Sequence, residues 1–372
     1  MKILHVCWDL NQGGIQRYLI DLLTAFKGMV NSDVMVLSSP GALSPDAVGL
    51  SDKVEYIGMR GGTDLHAFFP ILKRLKSGNY DVIHSHANNL VFNFALGFQS
   101  APVIYTEHGG RFLNRDLASS ILYKYMNRNI DRFVAISAFM GNLMRARNPV
   151  IGDRLRVIYN GIQRDDLFLA RLAEEAMDIR AELPNGPKVG FVGRLTKEKG
   201  VDLFIEIARV VNETRPDTQF LIIGDGPFRT EAEALVREYG LEDRIHFLGY
   251  VKYARGLFSA LDVFVISSRY EAFGLVTVES MAAGVPVVAL SENSAVEELV
   301  RDGIDGYLIA GLDTDEAARR VNEILSQPDL KSKMGAAGRE RSCEFTIARN
   351  AEKMIREYND LADEKAACGK AR

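Results

Sequence analysis

Short apolar runs recur along this chain and alternate with longer segments of helical period, and that alternation restricts the fold more than any other feature. In the first half the runs are KILHVC, DVMVLS, YDVIHSH, PVIYTEHG and RFVAIS. In the second half they are KVGFVG, FLIIGDGP, RIHFLGYV, LDVFVIS and PVVAL. Strands covered on both faces read as continuous apolar runs, and joining parallel neighbours takes a crossover helix. The pattern therefore predicts α/β architecture with parallel, doubly wound sheets. At 372 residues the chain suits two domains, each able to bury its own core.

In such sheets functional groups gather at the carboxyl ends of the strands, and residues 266–290 have the richest set. There LDVFVIS leads through the loop SSRYEAFG into a helix that stops at Gly284, with Pro286 beyond and PVVAL as the next strand. The first turn of a helix has unpaired amides and the positive end of the dipole, so the backbone near Phe273, Gly274 and Leu275 suits a phosphate. Gly274 lets a ligand come close to the main chain. Glu271 and Glu279 flank this site, and carboxylates accept hydrogen bonds from hydroxyls. A phosphate grip between two hydroxyl acceptors suits a nucleotide sugar, while an ordinary βαβ unit with Glu279 on a solvated face is the plainer alternative.

Glu-x7-Glu within SSRYEAFGLVTVESMAAGVPVVA closely resembles the signature of glycosyltransferase family 4, retaining, nucleotide-sugar-dependent enzymes of the GT-B fold. The resemblance implies two Rossmann-like domains facing each other across a cleft. It places Glu271 by the donor sugar, Glu279 on the ribose hydroxyls and the Phe273–Leu275 amides on the distal phosphate. GRLTKEKG likewise resembles the family's diphosphate loop. Its Arg194 offers a planar fork and its Lys199 a point charge to phosphate oxygens, where the residues alone allow a solvated basic loop. YTEHG resembles the segment whose histidine reaches the donor sugar, which implies a catalytic part for His108 and an acceptor contact for Glu107. Tyr250 and Val251 match the positions that line the nucleobase pocket, read there through main-chain groups. UDP is the family's commonest carrier and is the expected one here.

Gly13 and Gly14, after the first strand, open a helix expected from about Ile15 to Phe26. Either they serve a tight turn of positive φ, or they let a diphosphate approach. They match a paired-glycine loop of the family, but they do not form GxGxxG, so a dinucleotide site is poorly supported. His84 and His86 end one strand and Glu107-His108 another. They converge on one sheet edge, where His84 and His86 serve either structure or an acceptor.

Domain limits are expected at 1–165 for an acceptor-binding domain and 186–345 for a nucleotide-sugar-binding domain, with a polar, breaker-rich hinge over 163–186. Residues 346–372 are read as a helix crossing back to the first domain, followed by a disordered tail, ADEKAACGKAR. RFLNRDLASSILYKYMNRNIDR, at 111–132 within the first domain, mixes basic and aromatic residues. It fits either an interfacial helix on an anionic membrane or a packed helix with a solvated basic face.

Charge excludes little else. Residues 1–170 hold 18 basic against 14 acidic side chains and the remainder 27 against 35, too mild an asymmetry for nucleic acid. Cys7, Cys343 and Cys368 are far apart, without metal-ligand spacing, and read as reduced thiols, with Cys7 buried in its strand. The opening residues are short for a signal peptide and no run of 18 apolar residues occurs, so a cytoplasmic protein, or one peripheral at the inner face of the membrane, is expected. Asp313-Thr-Asp315 matches an Asp-x-Asp metal motif only formally, because it begins a helix where such residues cap. No metal and no cofactor is expected, since Arg194, Lys199 and helix ends supply the positive charge. The expected activity is retaining transfer of a hexose-type sugar from a UDP-sugar to a lipid-linked or cell-surface glycan. A soluble small acceptor is the alternative, with a nicotinamide-dependent or purely nucleotide-binding protein behind it.

Overall fold

The computed structural model describes residues 1–11, 13–109, 127–164, 183–251 and 255–370. Most of the basic stretch at 111–132 and of the hinge at 163–186 lies outside the described residues. The chain forms two compact units, one of Met1–Gly161 with Ile347–Arg372 and the other of Ile162–Thr346.

In the first unit seven strands make one sheet: β1 (Lys2–Cys7), β2 (Asn31–Val36), β3 (Lys53–Tyr56), β4 (Val82–Ser85), β5 (Val103–Glu107), β6 (Arg132–Ala135) and β7 (Leu155–Val157). Their order is β3-β2-β1-β4-β5-β6-β7, with every pairing parallel. Strand β3, KVEY, escaped the sequence reading because it has no apolar run; it is a short charged edge, with Lys53 paired to Glu55 at 2.9 Å. Helix Ile347–Lys370 packs on helix Gly14–Phe26 within this unit, where the Tyr18 hydroxyl donates to Asn350 Oδ1 at 2.9 Å. The expected tail is helical as far as Lys370, a correction that follows from its Ala, Glu and Lys content, all strong helix formers.

The second unit has six strands: β8 (Lys188–Val192), β9 (Gln219–Ile223), β10 (Ile245–Gly249), β11 (Val263–Ile266), β12 (Val287–Leu290) and β13 (Gly306–Ile309). The order is β10-β9-β8-β11-β12-β13, again all parallel. Helix Val201–Thr214 shows why the sequence folds so: Val201, Phe204, Ile205, Ile207, Ala208 and Val211 are buried at helical spacing and join Val189, Phe191, Phe220 and Val265 in one core. Asp313 caps helix Thr314–Ser326 by accepting from the Glu316 amide at 2.9 Å, as its place before that helix suggested. Among the described residues no helix is long and apolar enough to cross a membrane.

Candidate active site

Each sheet has one point where chain order reverses, between β1 and β4 and between β8 and β11. Loops leaving the strands there diverge to opposite faces and leave a crevice at the carboxyl edge. In the second unit those loops are 193–200 after β8 and 267–274 after β11, the two segments that the sequence singles out.

They are laced together. Arg269 holds Asp202 with two bonds of 2.7 Å, donates to the Lys197 carbonyl at 2.6 Å, and bonds through its amide to the Glu198 carbonyl at 2.8 Å. Gly200 stands between them at φ 69, and a Cβ there would collide with the Ser267 carbonyl oxygen. This close approach brings Lys199 to Glu271, Nζ to Oε2 at 2.7 Å, with the Ser268 hydroxyl on the same oxygen at 3.3 Å. Glu271 is nearly enclosed, so its charge is held by that lysine rather than by water.

Gly274 (φ 90) and Gly284 (φ 77) bound helix Leu275–Ala283, both in the left-handed region that favours glycine. No side chain caps its N-terminus, so the first-turn amides at Gly274 and Leu275 keep their donor character beside Glu271. Phe273 is buried just before them. Glu279 is half-buried on the same helix face as Leu275, one turn on. Arg194 is exposed and has no side-chain partner among the described residues, a free cation beside the Lys199 loop. Its backbone is fixed because Gly224 and Gly226 of GDGP pack on the main chain of Gly193 and Leu195, where a Cβ would clash. The close approach that those glycines permit is thus of the protein to itself. Tyr250 is half-exposed and Val251 partly buried at the end of β10.

In the first unit Gly13 precedes helix Gly14–Phe26 with φ 177, an extended value open to any residue, so the tight-turn explanation of this pair is set aside. A Cβ at Gly14 would meet nothing within 4 Å. His84 is fully buried and both ring nitrogens are engaged, Nδ1 with the Tyr358 hydroxyl at 2.6 Å and Nε2 with Thr106 Oγ1 at 2.7 Å. It ties β4 to β5 and to the C-terminal helix. Glu107 is also enclosed, accepting from the Tyr105 hydroxyl at 2.7 Å and the Gly109 amide at 2.8 Å. His86 lies between His108 (Nδ1 to Nε2, 3.2 Å) and His5 (Nε2 to Nδ1, 3.4 Å). Only His108 of this set reaches the surface, and in part. Burial pushes His5 and His108 down to about 3 and holds His84 and His86 well below the usual histidine range, where repulsion from neighbouring histidines, His5 and His108 among them, adds to the effect.

Sequence reasoning missed His5, which inside KILHVC reads as one more core position. The signal that could have found it is the β1–β4 register, which sets His5 opposite His84. His5, His84 and His86 have nitrogens within 4.8 Å of one another, and so form the described group best able to hold a metal ion; their nitrogens, His5 Nε2 aside, are already bonded to one another, to His108, to Thr106 or to Tyr358.

The family described as Glycosyl transferases group 1 matches residues 173–341, and that described as Glycosyltransferase Family 4 matches residues 12–166. Alpha-D-kanosaminyltransferase of Streptomyces kanamyceticus is 36% identical over 310 residues, which cover 76% of this chain and 79% of that protein. Phosphatidyl-myo-inositol mannosyltransferase of Mycobacterium leprae is 27% identical over 367 residues, 94% of each. Among solved structures, Anabaena HepE in complex with UDP-glucose matches with a TM-score of 0.83 at 21% identity, over 97% of this chain and 100% of that one.

Proposed function

The chain belongs to the GT-B glycosyltransferases, and from that premise we propose that it is a retaining hexosyltransferase that uses a UDP-sugar to glycosylate a hydroxyl of a lipid-linked or cell-surface glycan. The observation that carries the reading is the Lys199–Glu271 contact at the β8/β11 reversal, beside the uncapped helix N-terminus at Gly274 and the free Arg194.

In this reading one unit supplies every group that a nucleoside diphosphate leaving group needs. Arg194, Lys199 and the amides at Phe273, Gly274 and Leu275 face the two phosphates. Glu279 takes the ribose hydroxyls, Tyr250 and Val251 flank the base, and Glu271 receives hydroxyls of the sugar. In the reaction the bond from the anomeric carbon to the distal phosphate oxygen breaks. The acceptor oxygen bonds to that carbon on the same face, and its proton passes to the departing phosphate oxygen. Negative charge grows on the diphosphate as the bond opens, so the two cations and the amides bind the transition state more tightly than the ground state. His108 has the part toward the sugar that the family resemblance implies for it, and Gly13-Gly14 the part of the family's paired-glycine loop. His86 stands behind His108, while His84 and Glu107 act as framework.

UDP-glucose in the HepE structure supports the carrier, and the mannosyltransferase named for a phosphatidylinositol supports a lipid-linked acceptor. The test is UDP release from a panel of UDP-, GDP- and ADP-sugars, with and without EDTA, with the anomeric configuration of the product read by NMR. Release from one UDP-sugar, undiminished by EDTA and with configuration kept, is the expected result. Inversion refutes retention, release from another carrier replaces UDP, and no release from any donor refutes transfer.

A further inference from the structure

His5, His84, His86, Thr106 and His108 share one face of the first sheet, since β1 and β4 pair His5 with His84 and alternate residues of a strand face the same way. Tyr18 and Phe26 of helix Gly14–Phe26 and Tyr358 of helix Ile347–Lys370 cover that face, with the Tyr18 ring centroid 5.3 Å from that of His108. Tyr18 and Tyr358 are the titratable groups in ring contact with the cluster from these elements, and burial raises the pKa of both. The imidazoles are therefore neutral, each with one N–H and one lone pair.

Three of them form a chain from His108 Nε2 to His86 Nδ1, and from His86 Nε2 to His5 Nδ1, at 3.2 and 3.4 Å. For both contacts to be hydrogen bonds, all protons must point the same way along it. If they point toward His5, the chain ends on a buried His5 Nε2–H, and that atom has no partner among the described residues. If they point toward His108, the chain ends on a bare lone pair. An orphaned buried N–H is the rarer and costlier of the two ends. His5 and His86 then carry their protons on Nδ1, and the Nε2 of His108 is an acceptor.

We propose that His86, backed by His5, is a positioning residue that locks His108 as the Nδ1–H tautomer, so that this ring offers a hydrogen-bond donor to a sugar oxygen. This is the reverse of the tautomer that a free neutral imidazole prefers. The step to the sugar rests on the function proposed above; the tautomer does not. No proton is transferred by the lock: it fixes which atom of His108 gives a hydrogen bond and which accepts one.

The experiment is a long-range proton–nitrogen correlation spectrum of the full chain with 15N-labelled histidine, His108 being assigned by the loss of its signals in His108→Asn. The wild-type protein is expected to show a protonated Nδ1 and an unprotonated Nε2 on His108, unchanged between pH 6 and 8. His86→Leu removes the donor and is expected to let His108 move toward Nε2–H, with kcat/KM lower by about tenfold, one oriented hydrogen bond. His86→Asn keeps an N–H near the Nδ1 position and is expected to restore both. Nε2–H on His108 in the wild-type spectrum overturns the proposal without any variant having to fold. A tautomer that His86→Leu leaves unmoved, or a bound metal ion that strips the protons from the cluster, overturns it too. A locked Nδ1–H in a protein that transfers no sugar refutes the function and leaves the lock, whereas full transfer with the opposite tautomer does the reverse.

Discussion

Lys199→Met keeps the length of the side chain and removes its charge. The pair that it breaks is 2.7 Å long, between a lysine side chain 29% exposed and a glutamate side chain 11% exposed. That lies between a surface pair, worth roughly 0–1 kcal/mol, and a buried one, whose breaking costs about 3–5 kcal/mol. Ser268 stays on the orphaned carboxylate and offsets part of the loss. The expected destabilisation is about 1–2 kcal/mol, or about 2–8 °C in the melting temperature of a unit of this size. Activity should suffer far more, since losing one preorganised group aimed at developing charge lowers kcat by about 10²–10³. Adding Glu271→Gln removes the orphaned charge and should bring back most of the melting temperature while activity stays low. Calorimetry and UDP release measure the two effects separately. Wild-type kcat and UDP affinity in Lys199→Met would refute the phosphate role. A double variant no more stable than the single would refute the argument from the unpaired carboxylate.

Three other outcomes are expected. Gly14→Ala meets no atom of the protein, so stability should hold within about 0.5 kcal/mol while donor KM rises; unchanged kinetics would mean that nothing approaches that backbone. Gly200→Ala combines φ 69 with a collision at Ser267 and should cost about 3 kcal/mol or more by denaturant titration, together with the Lys199–Glu271 contact; a wild-type midpoint would contradict the packing of the two loops. Acid should unfold the first unit through its histidines: above pH 6.5 they are neutral folded or unfolded, but below it the unfolded chain binds protons that the fold refuses. With His5 and His108 down at about 3, each contributes a loss of about 1.4 kcal/mol per pH unit from 6.5 toward 3, with His84 and His86 acting in the same direction. A flat melting temperature between pH 7 and 5 would rule out neutral burial.

What the sequence revealed of this fold were features written locally. The run from LDVFVIS to PVVAL, with glycines at 274 and 284, states strand, loop, helix and strand within one stretch, and both glycines have the left-handed φ that such boundaries demand. What stayed hidden depends on partners far along the chain. Lys199 and Glu271 are 72 residues apart and meet because β8 and β11 are neighbours, which no spacing states. His5 is indistinguishable from its apolar neighbours until the register puts it opposite His84. Gly224 and Gly226 mark a close approach in GDGP, but only the fold shows that the backbone coming close to them is that of Gly193 and Leu195. Strand β3 has no apolar run to detect, because it is a short edge strand, and charge on an edge keeps it from pairing with another chain.

The most direct test of the account is a thermal melt of the wild-type chain and of an Arg194→Ala, Lys199→Met double variant, each with UDP, GDP and ADP. Occupancy at a hundredfold excess over Kd stabilises by about 2.7 kcal/mol. A clear rise with UDP in the wild-type protein, largely lost in the double variant, is the predicted result. No rise with any nucleoside diphosphate, or an equal rise in both proteins, would contradict a diphosphate site built on the β8 and β11 loops.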